Sequence, residues 1–309
     1  MSQTGTLGDK LFKAVLVAAS ASILLIVGAI IYMMVDNSMP TLRRFGVGFL
    51  FGSEWRPSQE VFGALPFIYG TIISSLIAVL LAVPVSIGVA IFLVEQAPIR
   101  VARPIAFMVE LLAAIPSVVY GLWGIFVLAP VIREYVGPTL QSTLGFLPLF
   151  QGRITGLGML TAGIILALMI TPIITAVVRD VLEAVPVTQR EAALALGATK
   201  WETTTIVLNN AASGIAGAVV LGLGRAIGET MAVTMVIGNS PQISPSLFEP
   251  ANTIASLLAA NFAEATDRLY LSALIEIGLV LFLVTFVVNA LAKLLIMSVA
   301  SGPDRAKHT

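Results

Sequence analysis

The chain has 309 residues, 58% of them apolar and 11% charged, with a formal net charge of zero. Soluble domains carry about 25% charged residues, so most of this chain is built to meet lipid or protein rather than water, as its mean hydropathy of +0.99 also says. Neutrality removes the basic signature of nucleic-acid binding. Cysteine is absent and the single histidine is His308, which excludes disulfides and cysteine nucleophiles and argues against a histidine general base or a histidine-held zinc.

A membrane span needs roughly 20 apolar residues, and six stretches qualify. Residues 14–35 are uncharged behind Lys10 and Lys13. Small residues at Ser20, Ala21 and Ser22 give the stretch a signal-peptide layout, but the uncharged run continues well past them, so a retained span is predicted. An outer segment holding Trp55 leads to a second span over 67–94. A short inner turn, 95–103, precedes a third span over 104–132, which contains Glu110. The fourth is 154–178. The fifth, 211–238, holds Arg225 and Glu229, and the sixth, 269–297, holds Glu276 and Lys293. No ten-residue alternation suggests a β-barrel, so the fold class is all-α: a polytopic bundle forming one transmembrane domain over 1–309.

All five lysines (Lys10, Lys13, Lys200, Lys293 and Lys307) fall on one side if the N-terminus is inside. Arg100, Arg103, Arg179, Arg190 and Arg305 add to that side, while Arg43, Arg44, Arg56, Arg133, Arg153 and Arg268 fall outside. The bias predicts both termini in the cytoplasm.

The inner loop 179–210 reads as a small helix that needs a surface to rest on. Thr188 and Glu191 have capping-box spacing, Ala192, Ala193 and Leu194 favour helix, and Gly197 suits a left-handed C-cap. Two turns over 189–196 are too short to be stable alone in water. Leu194, Leu196 and Trp201 are poor choices for a solvated loop. Docking on a partner and lying on its own bundle are both open readings.

The fifth span places Arg225 and Glu229 four residues apart on one predicted helix face. A charge there costs at least a few kcal/mol. A buried ion pair that bridges to Glu110 or Glu276 and a polar step on a solute route both fit. Gly224 and Gly228 are spaced for close helix approach. Glu110 and Glu276 lie roughly 9 Å inside their spans at 1.5 Å per residue. Pro84, Pro116 and Pro172 are predicted as tolerated membrane prolines rather than hinges.

Glu191-Ala192-Ala193, with Gly197, Ile206 and Leu208, resembles the EAA motif of ABC importer permeases. In that family the motif forms the coupling helix gripped by the ATPase. The motif usually ends in Leu-Pro; here Leu208-Asn209-Asn210 stands instead. No lysine follows a glycine, so the chain has no phosphate loop and ATP hydrolysis is expected elsewhere. Gly224 to Ala232, GRAIGETMA, together with Leu111 to Gly121, resembles the permeases of the Pst high-affinity phosphate importer. Phe45-Gly46, Glu54-Trp55, Tyr69-Gly70-Thr71, Phe262 to Ala265 and Glu276 are similar to the C-type subunit, and the likeness runs from about Lys10 to Met297.

The resemblance implies a type I (MetI-like) permease architecture, with Arg225, Glu229 and Glu276 on the phosphate pathway and Glu191, Ala192, Ala193 and Gly197 at the ATPase contact. It implies a PstA-type second permease, a PstB-type ATPase dimer carrying ATP and Mg, and a PstS-type phosphate-binding protein. The chain itself would bind no cofactor and catalyse nothing, and would sit in the bacterial inner membrane. Rival readings are an ABC permease for sulfate or molybdate, an ion-gradient-driven transporter using the carboxylates, and a membrane sensor without solute flux.

Overall fold

Two of the long apolar helices pack against a third that is the most deeply buried span of the fold. The computed structural model describes residues 7–300; His308, Arg305 and Lys307 lie outside the described residues. The helices, in chain order, are α1 (Leu7–Phe45), α2 (Leu65–Ile91), α3 (Ile99–Ala113), α4 (Ser117–Leu144), α5 (Met159–Glu183), α6 (Val187–Ala195), α7 (Lys200–Gly228), α8 (Met231–Val236), α9 (Ile254–Asn261) and α10 (Arg268–Ala300). Six of them, α1, α2, α4, α5, α7 and α10, are long and apolar enough to cross a membrane. Among the described residues there is no strand, only the isolated bridge between Arg56 and Val61.

The spine is α5. Ile170, Ile174, Val178 and Leu182 recur every fourth residue and are fully buried, forming the i±4 ridge by which helices interlock. The α2–α5 contact is the most extensive in the fold, followed by α5–α7. Gly222 on α7 has Ile174 where a Cβ would stand, at 2.7 Å, so the missing side chain is what lets α7 lie against the spine. Ser86 of α2 donates to the Thr171 carbonyl of α5 at 3.1 Å. By contrast, the apolar first half of α1 is exposed throughout, a surface suited to lipid or to another membrane chain.

Proline sets several local departures from the sequence expectation. The third apolar stretch is not one helix over 104–132. It breaks at 114–116 into α3 and α4, because Pro116 offers no N–H and pushes Ile115 away from helical geometry. Pro84 and Pro172 stay inside continuous helices. Three widened π turns, Phe92–Gln96, Gly124–Leu128 and Ile132–Val136, each stop two residues before a proline, Pro98, Pro130 or Pro138. A proline removes a donor and crowds the preceding turn, and a wider turn relieves both.

The end opposite α6 is closed by an aromatic cluster. Trp55 lies 5.1 Å from Phe62 and 5.0 Å from Phe67, edge to face, and Phe62 stacks on Tyr270. Ile254, Leu274 and Ile277 complete this second core. The segment between α1 and α2 is therefore folded rather than loose. α9 docks beside it: the Thr253–Ser256 capping box starts the helix, and the Ile254 N–H donates to Thr71 at 3.0 Å. Gly70 makes this possible, since a Cβ there would overlap the Asn252 carbonyl.

That overlap gives a test of the α2–α9 contact. Gly70→Ala should destabilise the protein by about 1–3 kcal/mol, the usual range for overpacking, seen as a lower Tm in detergent. Gly28→Ala, where no atom lies within 4 Å of the added methyl, should melt like the wild type. Equal Tm values for the two variants would contradict the close approach.

Candidate functional site

Two places in the fold gather polar chemistry: the end of α7 and the helix α6. The fifth apolar stretch does not run as one helix over 211–238. α7 begins earlier, at Lys200, and stops at Gly228; Glu229 is extended, and α8 restarts at Met231. Arg225 lies in the last turn of α7 and Glu229 just beyond it. The Glu229 carboxylate receives the Ala232 N–H of α8 at 3.5 Å. Each charge thus sits beside a helix end of opposite polarity, the cation at a C-terminus and the anion at an N-terminus.

The pair expected from the four-residue spacing does not form. Among the described residues Arg225 makes no ion pair, and Glu229 is half-buried with only the Ala232 contact. The helix break rotates Glu229 off the face that a continuous helix would give it. Arg225 instead opens on a cavity of about 440 Å³ lined by Ile173, Val220, Leu221, Gly224 and Asn289. The Asn289 Oδ1 is buried without a hydrogen-bond partner. Gly228 has no atom within 4 Å of a Cβ position, and Gly224 only Asn289 at 3.9 Å. The close approach predicted at these glycines is therefore not made within this chain, and the small-residue face beside Arg225 is open.

The other expected carboxylates are elsewhere. Glu110, on α3, binds Arg179 of α5 at 3.0 Å, not Arg225. Glu276 is 5% exposed on α10, with its Oε2 unpartnered, and it does not line the Arg225 cavity. The structure therefore keeps Arg225, Glu229 and Glu276 apart rather than joining them in one network.

At the other end of the fold, the stretch predicted as the loop 179–210 is mostly helical. α5 runs to Glu183, α6 covers Val187–Ala195, and α7 begins at Lys200. Thr188 does not cap α6, because the helix starts at Val187 with Pro186 as its N-cap. The capping box forms eleven residues later, between Thr199 and Glu202, at the start of α7. Gly197 does take the left-handed conformation, φ +86°. The Gly197 N–H bonds the Leu194 carbonyl and the Ala198 N–H the Ala193 carbonyl, the two bonds of a Schellman turn. α7 passes through Leu208-Asn209-Asn210 without a break, and Asn210 donates to Gln189 of α6 at 2.9 Å.

Of the four motif residues, Ala193 is buried, while Glu191, Ala192 and Gly197 are exposed. Leu194, Trp201 and Val187 also face outward, and Leu196 is 90% exposed. α6 thus turns an apolar, glycine-capped surface away from the bundle. Sequence reasoning missed what holds it there: Arg190 binds Glu95 at 2.9 Å. It also missed Asn289, although a polar side chain inside an apolar span is a usable signal.

Comparison with known proteins gives this geometry a setting. Residues 61–300 match the model of the binding-protein-dependent transport system inner membrane component family. A phosphate transport system permease protein PstC of Xylella fastidiosa (strain 9a5c) is 48% identical over 94% of this chain and 90% of its own length. The PstC of Mesorhizobium japonicum is 46% identical over 95% and 91%, and PstC 2 of Mycobacterium tuberculosis 42% identical over 93% and 91%. A chain of the MetNI methionine ABC transporter, in an inward-facing conformation, superposes with a TM-score of 0.57 at 15% identity, over 80% of this chain and 99% of that one. That last likeness concerns the fold.

The open cavity yields a labelling test, and the absence of cysteine makes it clean. Arg225→Cys should react with a water-soluble thiol reagent at least about tenfold faster than Glu276→Cys, since thiol reactivity follows exposure. Equal rates would mean that the cavity is closed to water.

Proposed function

The chain belongs to the family of binding-protein-dependent transport system inner membrane components, and from that premise we propose that it is the C-type permease subunit of an ATP-driven phosphate importer. The reading is carried by identity of 42–48% over nearly the whole chain to relatives named as phosphate permeases. The Arg225 cavity supports it from the chemistry. A free guanidinium offers a phosphate dianion a charge-assisted, bidentate partner where lipid would otherwise repel it.

The rest of the assembly follows from what this chain leaves open. The glycine face of Gly224 and Gly228 is the side on which a second, A-type permease closes the pathway. The exposed surface of α6, with Glu191, Ala192 and Gly197 and with Ala193 seating the helix beneath them, is the side that an ATPase dimer grips; that dimer binds ATP and Mg and does the hydrolysis. A phosphate-binding protein delivers solute to the opposite end, formed by residues 46–64 and 239–267. In this arrangement both termini are cytoplasmic. ATP-driven closure moves the α6 helices as rigid bodies, and the two permeases rock to alternate access. Glu229 accepts a hydrogen bond from protonated phosphate, a bond that sulfate cannot donate at neutral pH, and Glu276 serves the same route from α10.

Reconstitution tests the reading. Proteoliposomes with both permeases, the ATPase and the binding protein should take up phosphate only with ATP inside the ATPase compartment. Arg225→Gln should lower uptake about 10- to 100-fold, the worth of hydrogen bonds to a charged group, while the complex still assembles. Uptake driven by an ion gradient without ATP would overturn the assignment. Wild-type uptake in Arg225→Gln would remove that residue from the route.

A further inference from the structure

Arg190 lies on the motif helix, one residue before Glu191, and its guanidinium joins three elements. Its Nε and Nη2 both donate to Glu95 Oε1, at 3.1 and 2.9 Å. Nη1 donates to the Val185 carbonyl at 2.6 Å, just past the end of α5, and Nη2 to the Leu182 carbonyl at 2.9 Å, in its last turn. Glu95 sits in the π turn that ends α2. One side chain of α6 therefore holds the ends of α2 and α5, the two helices that pack most extensively on each other.

This contact differs from the other ion pairs of the chain. The side chains of Arg190 and Glu95 are 18% and 10% exposed, whereas Arg44 and Glu60 are 48% and 50% exposed. Exposed pairs hold position weakly; a desolvated pair with its remaining donors satisfied resists opening. α6 has little else to hold it. Ala193 is the one buried hydrophobic side chain of the helix, and the Gln189–Asn210 bond to α7 is exposed. α5 in turn carries Ile173, a wall of the Arg225 cavity.

We propose that the Arg190–Glu95 pair is a positioning joint that makes α6 move as one body with the ends of α2 and α5, and so sets how much solute crosses per ATP hydrolysed. This rests on the reading of the chain as an ATP-driven importer. A push on α6 is then passed to Glu95 and to the carbonyls of Leu182 and Val185 at and just past the end of α5, and from there along the packed α2–α5 pair to the cavity. Without the joint, α6 yields locally and hydrolysis runs without moving the cavity wall.

The test is a coupling ratio measured in the fully reconstituted complex, ATP hydrolysed per phosphate taken up. Glu95→Gln and Arg190→Lys should leave hydrolysis near wild type and raise the ratio about fivefold or more, within the span of coupling changes that single residues produce. Asn210→Ala, which cuts the exposed link, should leave it unchanged. Uptake and hydrolysis falling together at a constant ratio, or neither falling, would overturn the proposal. A wild-type complex with no ATP-dependent uptake would instead sink the functional reading itself.

A second measurement does not depend on those variants assembling. Spin labels at Thr188→Cys and Phe92→Cys, in a chain with no other cysteine, report the spacing of α6 and the α2 end. The joint predicts the same distance with and without ATP; a distance that changes with nucleotide state would overturn it.

Discussion

A guanidinium inside a membrane-spanning helix must be solvated by something, and much of this structure is arranged around that requirement. Arg225 has no carboxylate of its own. The helix break turns Glu229 to a different partner, so the cost of the charge is met by the carbonyl end of α7 and by the open cavity toward Asn289. A paired arginine would be electrically silent, and an unpaired one in lipid would be costly. An unpaired arginine at a helix end, facing a cavity between helices, can meet an anion.

The cavity needs rigid walls, and these come from the α5 spine. Its four-residue ridge fixes α2 on one side and α7 on another, with Gly222 removing the side chain that would keep α7 away. The aromatic cluster around Trp55 holds the far ends of α1, α2 and α10. At the near ends, Arg179 ties α3 to α5 through Glu110, and Arg190 ties α6 to α2 and α5. α2 is thus held at both ends. Among the faces left without a partner are the first half of α1, the glycines of α7 and the outer surface of α6.

Element existence was legible in the sequence because apolar length is a strong signal in a membrane. Six spans were expected, and six helices of suitable length occur among the described residues. Boundaries were not legible where proline or a helix break decides them. Pro116 divides the third stretch, and the fifth stretch ends ten residues early at Gly228, since hydropathy does not register backbone geometry. Two capping boxes with the same spacing stand eleven residues apart, and Pro186 decided between them by starting α6 one residue before Thr188. The site residues were visible as charges in apolar runs, but their partners were not. Spacing along a helix suggested Arg225 with Glu229. Two pairs that tie helices together, Arg179 with Glu110 and Arg190 with Glu95, join residues far apart in sequence, and only the packing of α3, α5, α6 and the end of α2 brings them together.

The central claim is that the open face beside Arg225 is one half of a pathway that a second permease completes. Gly228→Cys, carrying a photoreactive thiol label in the reconstituted membrane complex, addresses it most directly. The account predicts an adduct between this chain and the second permease. Adducts with lipid alone, or with another copy of this chain, in a complex that is fully assembled would contradict it.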